Sequence, residues 1–471
     1  MVRISVVFIT SILFFSFSLK NKPTAKPNVV LVYMDDMGYG DIVRNGAQGY
    51  QTPNFDRMAS EGIYFSQFYS PQAVCTASRA GLMTGCYPNR LGFSGALDHT
   101  AKIGLNTEEE TIAELLRDQG YATAAFGKWH LGHLPQFLPT NHGFEEFYGI
   151  PYSHDMWPNH PVSKNYYPEL PLIEGTKTIQ LNPDQSQFTT NFTNKTIDFI
   201  KRKKDKPFFV YLAHPMPHVP LAVSDKFKGK SKQGLYGDVI MELDWSIGQI
   251  RETLKKLKLE ENTLLIVTSD NGPWLNYGNH AGSAGGLREG KGTSFEGGQR
   301  VPCLMTWKGT IPAGLVSNNL SAALDILPTI VEVTGAKMPK RRIDGVSIST
   351  ILKGDLRGEP RSQFLYYYRK NNLEAVRDAN WKLVLPHPGR TYEGFAPGKD
   401  GMPSGAKEDF SFEGGLYDLR RDPGERYNVI NDYPDVVSKL NQIADEARKD
   451  LGDELTNNEG KNRRKIGTLK E

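Results

Sequence analysis

Apolar residues along the chain gather into short unbroken runs separated by longer amphipathic stretches. Asn28 to Met34 (NVVLVYM), Ala122 to Phe126, Phe208 to Leu212 and Leu264 to Thr268 are of strand length. Their continuous apolarity predicts strands covered on both faces. Glu110 to Gln119 (ETIAELLRDQ) and Val239 to Leu259 instead place apolar residues at a 3.6-residue period, which predicts helices. Strands alternating with helices imply an α/β fold on a large mixed, mostly parallel sheet flanked by helices. Around Gly354 to Arg361 (GDLRGEPR) the texture changes, and Phe364 to Tyr368, Lys382 to Leu385 and Leu416 to Leu419 read as strands. The stretch Gly389 to Gly415 has no period and reads as a long loop. Pro434 to Asp450 reads as an amphipathic helix, and the KNRRK segment after it as a solvated tail. The expected organisation is a large N-terminal domain over 23–355 and a smaller C-terminal α+β subdomain over 356–471, with a small antiparallel sheet and a terminal helix.

The first residues break this pattern. After Arg3 the chain is mostly apolar from Ile4 to Leu19 and turns polar at Lys20-Asn21-Lys22-Pro23. That reads as a signal peptide over 1–22, shorter than the roughly 20 apolar residues a membrane span needs. Export to the periplasm or medium is expected, without stable membrane insertion. With 39% apolar residues and 46 glycines the rest has ordinary globular composition, which excludes wholesale disorder and a polytopic membrane protein. A net charge of +3 gives no reason to expect nucleic acid as a partner. Three scattered cysteines, Cys75, Cys86 and Cys303, make neither a disulfide framework nor a zinc module.

Ligands of open α/β sheets gather at the carboxyl ends of strands. Two such ends here carry oxygen donors together, Asp35-Asp36 and Asp270-Asn271. With no thiolate or imidazole in the set, it suits a hard divalent cation, Ca²⁺ or Mg²⁺, far better than zinc; as isolated pairs the same residues would serve as turn or capping groups. Lys128 and His130 follow a strand two residues apart, which in extended backbone points both to one side. His214 and His218 lie in a proline-stiffened loop after another strand. The stretch Gly285 to Gly292 matches G-x-x-x-x-G-K, but Gly292 stands where a phosphate loop needs Ser or Thr, and no strand leads into it. Lys291 is retained as an anion-binding candidate. In Cys75-Thr-Ala-Ser-Arg79 three residues separate cysteine from arginine, too few for a cysteine phosphatase.

The run Cys75-Thr-Ala-Ser-Arg79-Ala-Gly-Leu-Met-Thr-Gly85 resembles the hallmark C-x-[PA]-S-R-x-x-x-x-T-G of the type I sulfatases, in the alkaline-phosphatase-like superfamily. The resemblance extends in order through Asp35-Asp36, Gly127 to Gly132, Gly149 to Asp155, Pro217 to Pro220, Ser269 to Pro273 and Gly290 to Gly298. It is similar to the arylsulfatase A branch, with the alanine of Cys-Thr-Ala-Ser-Arg more typical of bacterial members. Cys86, where many members have arginine, and Cys303 depart from the pattern and leave a bridge between them open.

The resemblance implies that a maturation enzyme oxidises Cys75 to formylglycine. Asp35, Asp36, Asp270 and Asn271 would then hold calcium together with the modified Cys75. It further implies that Arg79, Lys128, His130, His218 and Lys291 surround the sulfate. A hydrated formylglycine would attack sulfur, His218 would protonate the leaving oxygen, and His130 would take a proton from the second hydroxyl to release sulfate. The substrate implied is a sulfated carbohydrate, with Ser153, His154 and His214 as candidate contacts. Gly149 to Asp155, Trp157 and Gly389 to Gly415 are candidate walls. A phosphomonoester or phosphonate hydrolase of the same superfamily, and a silent binder of sulfated glycans whose Cys75 stays a thiol, are the alternative readings.

Overall fold

The computed structural model describes residues 26–469; the leader expected over 1–22 lies outside them. At its centre the Asn28–Met34 strand pairs in parallel with Thr263–Ser269 on one side and Phe208–Ala213 on the other. Ala122–Lys128 and Glu146–Ile150 continue the parallel set. Antiparallel strands extend both flanks, completing a ten-stranded mixed sheet. Val29, Leu31 and Tyr33 enter one hydrophobic cluster, and Val30, Val32 and Met34 the other. This two-sided burial is why the strand reads as an unbroken apolar run. Helices Phe188–Lys203 and Gly234–Lys256 supply much of the second cluster, and Ile326–Thr334 contributes to the first. The helix expected over 110–119 is shorter, Ile112–Arg117, because Thr111 and Glu114 form a capping box at its start.

The C-terminal region has its own four-stranded antiparallel sheet, formed by Gln363–Tyr368, Asn372–Asp378, Trp381–Val384 and Gly415–Asp418. Helix Pro434–Leu451 packs on it through Leu440, Ala444, Ala447 and Leu451.

Two expectations need correction here. The stretch read as a long loop contains much of an antiparallel ribbon, His387–Thr391 paired with Lys407–Phe412. Its outer strand is almost wholly exposed, so no apolar alternation marks it. Nor is the basic tail simply solvated. Arg464 pairs with Glu109 and donates to the Arg342 carbonyl, and Gly467–Thr468 pairs with Ile103–Gly104. All three cysteines are free and buried, so Cys86 and Cys303 are not bridged. No helix among the described residues is long and apolar enough to cross a membrane.

Several buried histidines are held neutral. Burial pushes His142 down to about 4, and neither ring nitrogen finds a partner among the described residues. His387 and His154 are likewise lowered to about 4, and His214 to about 3, with burial the leading cause each time. A histidine with a folded pKa below its unfolded value of about 6.5 gains a proton on unfolding. Stability is therefore full above that value and lost as pH falls towards 4. We expect His142→Phe to keep more of its neutral-pH melting temperature at pH 4.5 than the parent does, the protected term being up to about 3 kcal/mol. Identical acid profiles for the two proteins would remove His142 from this account.

Candidate active site

The strand register brings the acids together. Met34 pairs with Ser269, so Asp35 and Asp270 leave adjacent strand tips side by side. Asp36 follows with φ +63°, a left-handed conformation, and its amide donates to Asp270 Oδ1 at 3.1 Å. Such backbone is held only where its surroundings over-determine it. Asn271 Nδ2 donates to Asp36 Oδ1 at 2.7 Å.

Cations meet these buried carboxylates from three directions. Lys128, the last residue of its strand, pairs with Asp35 through Nζ and donates to Ser153 Oγ at 3.0 Å. The residue before it, Gly127, sits at φ +107°, and a Cβ there would lie 1.9 Å from the Ala213 carbonyl oxygen. Only glycine fits, so Lys128 has a fixed position. Arg79 Nη2 lies 2.7 Å from Asp270 Oδ2 and 3.6 Å from Asp35 Oδ2. Its Nη1 donates to the Lys128 carbonyl and to Tyr211 Oη. Lys291 Nζ donates to both oxygens of Asp36 at 2.7 and 2.8 Å.

Cys75 opens the wholly buried helix Cys75–Thr84, placing its side chain at the positive end of the helix dipole. Gly85, at φ +68°, closes that helix by donating its amide to the Gly81 carbonyl. The Thr-Gly end of the hallmark is thus a helix stop. Cys75 and Arg79, four apart on one helix face, both belong to the acid cluster's surroundings.

The charges set the protonation states. Burial alone would raise Asp35, yet Lys128, His218, Arg79 and Lys291 hold it well below the usual carboxylate range. Burial and the neighbouring Asp35 charge push Asp270 up to about 7. Burial raises the Cys75 thiol against the opposing pull of Lys128 and Lys291.

His218 Nδ1 donates to the Val219 carbonyl oxygen, which leaves Nε2 facing Asp36 Oδ2 at 3.6 Å. Its pKa is lowered by burial and then by Lys291. His130 Nε2 donates to the Leu97 carbonyl at 2.8 Å, leaving Nδ1 buried and unpartnered. Burial, with Lys128 next, holds it well below its ordinary value, so it is a neutral acceptor at pH 7.

Two expected geometries change. His130 does not continue the extended backbone of Lys128, because its φ of +60° turns the chain; it reaches the site through that turn. His214 leaves its strand level with Lys128, but its ring points to the long helix and shares a 3.0 Å hydrogen bond with Ser246 Oγ. There it is fully buried, with Ser246 as its side-chain partner. Ser153 and His154 do lie at the site, His154 with its ring 5.4 Å from that of His218.

The sequence reading missed Trp274, whose ring has Lys291 Nζ 4.6 Å from its centroid and His218 at 5.5 Å. It also missed Tyr392, whose hydroxyl donates to the Lys291 carbonyl from a residue about a hundred positions away. Trp274 directly follows Asp270-Asn-Gly-Pro and was within reach of motif reading; Tyr392 carried no local signal.

Asp35, Asp36 and His218 present ligand atoms within 4.8 Å of one another. Asp35 Oδ1 and Asn271 Oδ1 are buried acceptors with no hydrogen-bond partner among the described residues. Unsatisfied oxygens in a buried anionic cluster fit a divalent cation. The His218 imidazole stands beside the all-oxygen set expected above, with Nε2 3.6 Å from Asp36 Oδ2.

A sulfatase family model matches residues 27–336, and a model for the C-terminal region of aryl-sulfatase matches 360–467. The chain belongs to the sulfatase family. The sulfatase is 37% identical to N-acetylgalactosamine-6-sulfatase of Mus musculus, over 90% of this chain and 86% of that one. It is 35% identical to arylsulfatase A of Homo sapiens, over 88% and 87%. Its fold matches the PsFucS1 sulfatase of Pseudoalteromonas sp. with a TM-score of 0.80 and 28% identity, over 89% of each chain. A buried Asp-Asp-His group agrees with the family's general use of a divalent metal beside a formylglycine.

If these residues hold a metal, a divalent cation added to chelator-treated sulfatase should raise its melting temperature, and Asp35→Asn should lose most of that rise. An equal rise in the variant would place the ion elsewhere.

Proposed function

We propose that this sulfatase hydrolyses sulfate esters on a sulfated carbohydrate, with Cys75 converted to formylglycine and Ca²⁺, ahead of Mg²⁺, held by Asp35, Asp36, Asp270, Asn271 and residue 75. The observation that carries the reading is the ring of Arg79, Lys128, Lys291 and His218 around the buried acids. Three carboxylates meet three permanent cations, so the cluster is close to neutral without an ion. A divalent cation would make it net positive, as a bound sulfate ester requires. When bound, that ion supplies Lewis-acid polarisation, and formylglycine supplies a nucleophile that cysteine lacks.

The chain's own side chains account for the remaining work. Arg79 and the two lysines orient the nonbridging oxygens, where charge spreads as the ester bond breaks. His218 Nε2, fixed by the Nδ1 bond to Val219, donates a proton to the leaving oxygen once the ring is protonated. His130 Nδ1, neutral and free, accepts a proton as sulfate is released. Burial keeps bulk water from these transfers.

The oxygen-rich donor set favours Ca²⁺. The N-acetylgalactosamine-6-sulfatase relative and the apolar leader support a carbohydrate substrate and an exported enzyme. Residues 23–355 would carry the chemistry, with 356–471 as its C-terminal subdomain and a formylglycine-generating enzyme as maturation partner.

Turnover of 4-nitrophenyl sulfate should exceed that of 4-nitrophenyl phosphate, the Cys75 peptide should show the mass loss of aldehyde formation, and Cys75→Ala should be inert. Faster phosphate turnover, or a retained thiol in active protein, would sink the reading. His218→Ala should lose at least about 10²-fold on alkyl sulfates and much less on nitrophenyl sulfate, which needs little leaving-group protonation. Equal losses on both would take the acid role from His218.

A further inference from the structure

Residues 151–170 join two neighbouring strands of the main sheet without helix or strand of their own. Ordered connections of this length in compact domains are usually functional. This one starts inside the site, at Ser153 and His154, and runs out into solvent, where Tyr166 is 68% and Val162 54% exposed, before Leu170 returns to the core. Near its outer end four rings hold one another. His99 lies 5.9 Å from Tyr166 and 5.3 Å from Tyr167, both edge-on. Tyr166 and Tyr167 are 4.9 Å apart, and His160 packs 5.3 Å from Tyr167. Edge-to-face contacts set the ring planes while leaving the outermost ring uncovered.

Polar atoms beside these rings lack partners. Asp155 Oδ1, Trp157 Nε1 and His99 Nδ1 are buried and make no hydrogen bond among the described residues. Asp155 directly follows His154, whose ring lies 5.4 Å from that of His218, and its charge reaches both His218 and Tyr167. His99 is two residues from Leu97, whose carbonyl orients His130. An uncovered aromatic face beside the sulfate pocket matches a pyranose, which offers C–H groups on its faces.

We propose that His99, Tyr166 and Tyr167, with Asp155, form a carbohydrate subsite for the sugar next to the one that bears the sulfate. The proposal rests on the sulfated-carbohydrate reading and adds where a second ring sits. A pocket that held sulfate alone would be indifferent to chain length, whereas this subsite makes affinity depend on it.

The test is calorimetric binding of hexasaccharides from chondroitin 6-sulfate and from carrageenan, with inorganic sulfate as reference, to wild type, Tyr166→Ala and Tyr166→Phe. Tyr166 is largely exposed, so both variants should melt with the parent. At least one hexasaccharide should bind wild type more tightly than sulfate does, about tenfold more weakly to Tyr166→Ala, and within about twofold of wild type to Tyr166→Phe. Unaltered hexasaccharide affinity in Tyr166→Ala, or hexasaccharides binding wild type no better than sulfate, overturns the subsite. All titrations are run in proteins that also carry the inert Cys75→Ala change, so binding is read without turnover. A failure of 4-nitrophenyl sulfate hydrolysis would therefore strike the proposed function and leave this result to be judged separately.

Discussion

Three carboxylates buried at adjacent strand tips are the constraint around which this molecule is arranged. An unpaired carboxylate in a dry site costs several kcal/mol, so each needs a cation or a dense set of donors. Asp35 takes Lys128, Asp270 takes Arg79, and Asp36 takes Lys291. These partners come from a strand end, a buried helix and a loop spread over more than 200 residues of sequence, so the acid cluster fixes how those elements meet. The same pairs leave Asp35 Oδ1 and Asn271 Oδ1 unused, so the stabilising arrangement and the metal-ready one are a single arrangement.

Elements buried on both faces were the most legible in the sequence. Asn28–Met34 and Thr263–Ser269 stand out because both faces are buried and their centres are unbroken apolar runs, and their register then places Asp35 beside Asp270. The helix Cys75–Thr84 was legible as a motif, since its Arg79 and its Gly85 stop each do a separate physical task. What stayed hidden depended on long-range contacts. The ribbon His387–Thr391 with Lys407–Phe412 has an exposed polar strand, so no period marked it. The turn at His130 arises from backbone φ, which spacing does not encode. His214 follows a strand as the other site candidates do, and its contact with Ser246 on the long helix carried no local signal.

The C-terminal sheet reaches into the chemistry through the segment that carries Lys291. Tyr392 donates to the Lys291 carbonyl, and Glu289 accepts from Thr391 and from the Tyr392 amide. Arg390 and Tyr368 come close enough to Gly292 to crowd any side chain placed there. A few residues further on, Glu296 is buried against Lys382, which also pairs with Glu425, and takes hydrogen bonds from Tyr69 and Tyr366.

That last network bears on how such a chain diversifies. Glu296 belongs to the first part of the molecule, while Lys382, Tyr366 and Glu425 belong to the second. Exchanging the C-terminal part for one lacking these groups would leave the buried Glu296 with only Arg300 and Tyr69 as partners and remove the contacts of Tyr392 and Thr391 with the segment that presents Lys291. Recombination at this seam is therefore penalised, and new specificity is easier to acquire by altering outlying loops such as 151–170 than by trading whole modules.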